Sequence, residues 1–164
     1  MRIEAKLAER GLILPKLLDV GGAARLPFAQ VRVFGDRAFI SGHGPTNSDG
    51  SVAEPLGKVG RDLTLEQAYH AAELTVLAML ADLQRALGDL DRITAWLRVF
   101  GMVQTAPGFQ QTPAVINGCS DLLLAVFGPE VGAHARSAVG MAELPFNIPV
   151  EIEAEVAISA QERQ

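Results

Sequence analysis

Between Thr64 and Gly88 an apolar residue returns at every third or fourth position, through Leu65, Ala68, Tyr69, Ala72, Val76, Met79, Leu80, Leu83 and Leu87. That spacing gives a long helix with one apolar stripe, and such a stripe must be buried against another layer. Thr64 and Gln67 have the spacing of a capping box at its start, and Gly88 is placed to end it. Whatever else the chain forms must therefore supply a surface long enough to cover this helix.

The flanking segments read mostly as strands. Val31 and Val33 alternate with polar residues, Phe34-Gly35-Asp36 offers a turn, and Ala38, Phe39 and Ile40 continue, which predicts a β-hairpin. Residues 93 to 103, ITAWLRVFGMV, are rich in β-branched and aromatic types and read as a buried strand containing Trp96. Thr112-Pro113 is read as an N-cap followed by an N1 proline, opening a second helix that runs to Phe127 and stops at Gly128. Residues 135–142 and 150–158 read as two further strands. Residues 2–10, with Ile3 and Leu7 four apart, form a short amphipathic lead helix ending near Gly11, and an irregular arm follows. The order is hairpin, helix, strand, helix, strand, strand, which predicts an α/β two-layer sandwich with both long helices on one sheet face. We divide it into a lead helix and arm over residues 1–26 and a body over 27–160, forming a single domain overall.

Composition removes several classes of function. The 164 residues carry a formal charge of -5 and contain no run of Lys or Arg, which argues against a nucleic-acid surface. The single cysteine, Cys119, excludes an intrachain disulfide framework, and His43, His70 and His134 lack metal-ligand spacing, so no metal and no cofactor is expected. The first residues carry charges and no leader-like apolar core, and no apolar stretch is read as approaching membrane-spanning length; a reduced, cytoplasmic setting is expected. A hydrophobic fraction of 49% is high for a small monomer and points to apolar surface buried in an oligomer.

Within this apolar chain the stretch HARSAVG, residues 134–140, places a guanidinium in a strand. Alternation puts His134, Arg136, Ala138 and Gly140 on one face, so Arg136 overlooks almost no side-chain volume. A planar bidentate donor beside free space suits a small carboxylate ligand. The competing reading pairs Arg136 with a glutamate across the sheet, since Glu151, Glu153 and Glu155 line one face of the last strand. One of these carboxylates could serve as a general base, although three in a row also describe a solvated face.

Residues 135–156, ARSAVGMAELPFNIPVEIEAEV, resemble the C-terminal signature of the RidA (YjgF-type) reactive-intermediate deaminase family, formerly labelled L-PSP endoribonuclease or translation inhibitor. FISGHGP (39–45) and INGCSDLLLAVFG (116–128) are similar to the family's segment after the hairpin and to its second helix, and the likeness extends over about residues 27–158. Together with the N-terminal extension, the C-terminal block from HARSAVG onward resembles a longer RidA-like subgroup. The resemblance implies a chorismate-mutase-like fold forming a homotrimer with three ligand clefts between subunits. It implies hydrolysis of 2-aminoacrylate or related 2-imino acids to 2-keto acids and ammonia. By this resemblance Arg136 binds the substrate carboxylate, Glu151 activates water, and Asn117 lies near the ligand.

The chain departs from the family pattern at four pocket positions. Phe28 stands where the archetype has tyrosine, His43 where it has glutamine, Ala138 where it has cysteine, and His134 is added before the arginine. A retained anchor with altered walls leaves two readings open: a deaminase-type hydrolase, or a trimeric binder or sensor of small carboxylates without turnover.

Overall fold

The computed structural model describes residues 2–19, 21 and 26–160. Its elements are α1 (Arg2–Glu9), β1 (Val31–Phe34), β2 (Arg37–His43), α2 (Leu65–Leu87), β3 (Ile93–Gln104), α3 (Thr112–Val131), β4 (Ala135–Met141) and β5 (Val150–Ile158). The strands form one sheet in the order β1-β2-β5-β3-β4, antiparallel throughout except for the parallel pair β3 and β4. This is the mixed α/β sandwich that the pattern predicts, with β4 and β1 at its edges.

The capping box at the start of α2 is complete: Thr64 Oγ1 accepts from the Gln67 amide, and the Gln67 side chain accepts from the Thr64 amide. Gly88 closes the helix with a left-handed φ of 80°. The apolar stripe of α2 enters the core with Val76, Met79, Leu80 and Leu83 fully buried, against Val99 and Val103 of β3 and Ile152 and Val156 of β5. Tyr69 sits at the margin of the stripe and donates its hydroxyl to Asp121 of α3 at 2.7 Å. Trp96 is buried edge-on to Phe127, with ring centroids 5.6 Å apart. The lead helix joins the same core through Ile3 and Leu7.

Two expectations for α3 are corrected. Thr112 is the first helical residue rather than the cap; Gln111 occupies the cap position, and the Thr112 hydroxyl donates to the Ala138 carbonyl at 3.1 Å. A threonine before proline has the right type for a cap, but a strand carbonyl competes for its hydroxyl. Gly128 does leave helical geometry, with φ 83°, yet Pro129 restarts a final turn to Val131. The full 20 residues are long and apolar enough, by length and composition alone, to cross a membrane, contrary to the sequence reading. Here Val115, Ile116, Cys119, Leu123 and Val126 pack into the core.

Candidate active site

Arg136 is carried by the edge strand β4, opposite Val99 of β3, which in turn faces Ala154 of β5. Residues paired across a ladder share a face, so Arg136 lies on the helix side of the sheet. There Nη1 donates to Asn117 Oδ1 at 2.8 Å and to Ser120 Oγ at 3.1 Å, and Nη2 donates to the Pro113 carbonyl at 3.4 Å. All three acceptors are neutral groups of α3. Among the described residues Arg136 meets no carboxylate, so the cross-sheet pairing with a glutamate is not formed. A guanidinium has five N–H donors; these contacts occupy three and fix the plane of the group, leaving donors for an anion.

Asn117 and Ser120 are one helical turn apart and together aim at Arg136. Ser120 was not singled out from the sequence; its spacing from Asn117 was the available signal. It also bonds to His134, whose Nε2 lies 2.9 Å from Ser120 Oγ and whose Nδ1 donates to the Gly132 carbonyl at 2.7 Å. Asn117, Ser120, His134 and Arg136 thus form one connected cluster. Cys119 beside it is buried, and burial pushes its thiol up to about 12, leaving a packing residue rather than a nucleophile.

Glu151 belongs to the opposite face. It pairs with Met102, and Met102 with Val139 of β4, one pleat out of phase with Arg136. Within one chain the two residues are therefore separated by the sheet. The Glu151 carboxyl lies across the backbone of Gly42, where a Cβ would overlap it and sit 2.9 Å from Cδ. It borders a cavity of about 70 Å³ lined also by Leu18, Thr46, Phe146 and Ile148. Burial, aided by the charge of Glu153 and opposed by His43, raises its pKa above the ordinary carboxylate value, which improves it as a base near neutrality. Gly42→Ala is expected to displace this carboxyl while the fold persists, since a side-chain end rather than backbone must move; a thermal melt close to the wild type's checks this.

The wall around Phe146 is held in a costly conformation. Phe146 and Asn147 adopt φ of 57° and 58°, a region that non-glycine residues seldom occupy. Buried Gln104 holds them, donating to Asn147 Oδ1 at 2.8 Å and accepting from the Leu144 amide at 3.0 Å. A polar residue closing the apolar run of β3 was the sequence signal for this clamp.

Two of the remaining expected pocket residues, His43 and Phe28, lie apart from the Arg136 cluster. His43 is buried, with Nδ1 donating to the Ser41 carbonyl at 2.6 Å and Nε2 facing Asp82 Oδ2 at 2.9 Å; Asp82 also accepts from Arg85 at 2.6 Å. A bulge between Ile40 and His43 turns this ring to the helix side, so it serves an interior ion network next to Gly42. Burial pushes the Asp82 carboxyl up, but its bonds to His43 and Arg85 outweigh that and hold its pKa below the ordinary value. A lowered folded-state pKa gives stability that is present above the unfolded-state value and is lost as pH falls through the folded one. Asp82→Asn is therefore expected to lower Tm at neutral pH and to converge with the wild type in acid, as thermal melts from about pH 7 to pH 3 would record. Phe28 is exposed, just before β1, and Ala138 is half-buried beside Arg136 on the helix face.

Known proteins share this sequence and architecture. Protein TCP17 of Trypanosoma cruzi is 37% identical over 158 residues, spanning 96% of this chain and 95% of its own. The crystal structure of Atu1372 from Agrobacterium tumefaciens, a protein of unknown function, is 39% identical with a TM-score of 0.85, covering 96% of this chain and 94% of that one. The YjgF gene product of E. coli, at 19% identity and a TM-score of 0.60, covers 88% of this chain and 97% of its own and shares the fold. A family model described as "YjgF/chorismate mutase-like, putative endoribonuclease" matches residues 4–152, and with Arg136 and Glu151 both inside that span, the chain belongs to the YjgF/RidA-type family.

Proposed function

We propose that this protein hydrolyses reactive 2-imino and enamine acids to 2-keto acids and ammonia in clefts between the subunits of a cytoplasmic homotrimer. The observation that carries this reading is Arg136, a guanidinium oriented by three neutral acceptors and without a carboxylate partner among the described residues. Such a group is prepared for a ligand carboxylate, which it can hold by two parallel hydrogen bonds. Glu151 supplies the second half. Because the sheet separates it from Arg136, one copy cannot present both groups to a small substrate, whereas two neighbouring copies can. The sheet face away from the helices carries Phe39, Phe100 and Met102 among charged residues, which supports its use between copies.

In this scheme Arg136 binds the carboxylate and places the imine carbon beside a water held by Glu151 of a neighbouring copy. Glu151 takes a proton from that water as its oxygen bonds to the imine carbon and the C=N pair moves to nitrogen. Glu151 returns that proton to nitrogen, giving a carbinolamine; it then takes the hydroxyl proton and passes it to the amine, so that the C–N bond breaks, ammonia leaves, and the carbonyl of the keto acid forms. No step requires a metal or cofactor. The family's endoribonuclease description is a weaker guide for this chain, whose formal charge is -5. A binder without turnover is the second reading, favoured by Phe28 and Ala138, which offer no reactive atom. Generating 2-aminoacrylate in situ separates the two: the proposal expects keto-acid release faster than the spontaneous rate, and no acceleration across a panel of imino acids would overturn it.

A further inference from the structure

The hydrogen bonds behind Arg136 form a chain with a direction. The Gly132 carbonyl can only accept, so His134 Nδ1 carries a proton and donates to it at 2.7 Å. Arg136 can only donate, so Ser120 Oγ accepts from its Nη1 at 3.1 Å. Between these fixed ends, the 2.9 Å contact of Ser120 Oγ with His134 Nε2 has two possible polarities. With neutral His134, Ser120 donates its proton inward to Nε2. With protonated His134, Nε2 donates to Oγ, and the Ser120 hydroxyl proton is released to point elsewhere. The same heavy-atom positions serve both states.

We propose that His134 and Ser120 are a proton-coupled arm of the Arg136 anion site, in which protonation of His134 turns the Ser120 hydroxyl outward as an additional donor to the ligand carboxylate. This rests on the reading of Arg136 as a carboxylate anchor but not on turnover. His134 acts through Ser120 and is a positioning residue. Among the described residues, the charged and titratable groups that flank the arm on its own elements are Arg136 on β4 and Cys119 and Asp121 on α3, with Tyr69 of α2 bonded to Asp121. Cys119 is held neutral by burial, and Asp121 is engaged by the Tyr69 hydroxyl. His134 is thus the member of this set that offers a second proton-binding nitrogen, Nε2, to the Ser120 hydroxyl.

The sign follows from linkage. An anion prefers the state with the extra donor and extra positive charge, so binding favours protonated His134 and takes up a proton. Affinity then falls as pH rises through the histidine range.

Calorimetry of the intact protein with 2-oxobutyrate, in buffers of different ionisation enthalpy between about pH 5.5 and 8, tests this. The wild type is expected to take up part of a proton on binding and to lose about tenfold in affinity across that range, the equivalent of one unit of linkage. His134→Gln, which can still accept from Ser120 but does not titrate there, is expected to show a flat profile at the wild type's weaker, high-pH affinity. Ser120→Ala should flatten the profile as well. Nitrogen chemical shifts of the His134 ring should report Nδ1 protonated in the free protein. A flat wild-type profile, an equal slope in His134→Gln, or no binding of 2-oxobutyrate would overturn the inference. pH-independent binding with intact turnover removes only this arm, whereas proton-linked binding without turnover removes only the deaminase reading.

Discussion

Arg136→Ala is expected to abolish measurable binding of 2-keto acids and to reduce keto-acid formation by roughly 100- to 10,000-fold, while leaving Tm nearly unchanged. Each hydrogen bond between ionised partners contributes about 1.5 to 3 kcal/mol, and the anchor would lose two of them to the ligand carboxylate. Stability should change little because the bonds that Arg136 makes within the chain go to Asn117, Ser120 and the Pro113 carbonyl at the edge of the molecule, where water can replace it. Calorimetry with 2-oxobutyrate and a melt of the same preparation give both numbers. A large fall in Tm with undiminished affinity would make Arg136 a structural residue.

Gly118→Ala should have the opposite profile, a severe loss of stability from a single methyl group. Gly118 is the point where α3 crosses α2: a Cβ there would overlap the Tyr69 carbonyl oxygen and lie 3.2 Å from Ala72 Cβ. Both obstacles belong to the helix body, so relief requires the two helices to separate along buried surface. Overpacking of this kind costs about 3 kcal/mol, and in a chain of this size that corresponds to a Tm lower by roughly 6–12 °C. Because Asn117 is the adjacent residue, the displacement should also weaken ligand binding. An unchanged melting curve would show that the helix pair tolerates a wider spacing.

The fold was legible in the sequence because its signals are local. The stripe from Leu65 to Leu87, the Thr64 and Gln67 pair, and the apolar run of β3 each fix an element without reference to distant contacts. The helix start at Thr112 was misplaced because its hydroxyl partner, the Ala138 carbonyl, is remote in sequence. The site was legible only in part. The small-residue face around Arg136 and its alternation are written in β4, but its partner Ser120 emerges only when α3 packs over that strand. His43 shows the limit of counting by twos: the bulge after Ile40 places it on the helix side with Asp82, a partner that no spacing along the chain reveals. Glu151, Glu153 and Glu155 were indistinguishable by pattern. Their surroundings separate them, since Glu151 lies across Gly42 in an apolar cavity whereas Glu155 pairs with Arg37 at 2.7 Å.

The central claim is that catalysis joins Arg136 of one copy to Glu151 of another. Subunit mixing tests it directly, using Arg136→Ala and Glu151→Gln protein, each inactive alone, dissociated and reassembled together in equal amounts. Random assembly gives half of the clefts an intact arginine and half of those an intact glutamate, so about one quarter of wild-type keto-acid formation should return. If the mixture stays inactive although wild-type protein carried through the same procedure recovers its activity, the two residues do not share a cleft and the account is wrong.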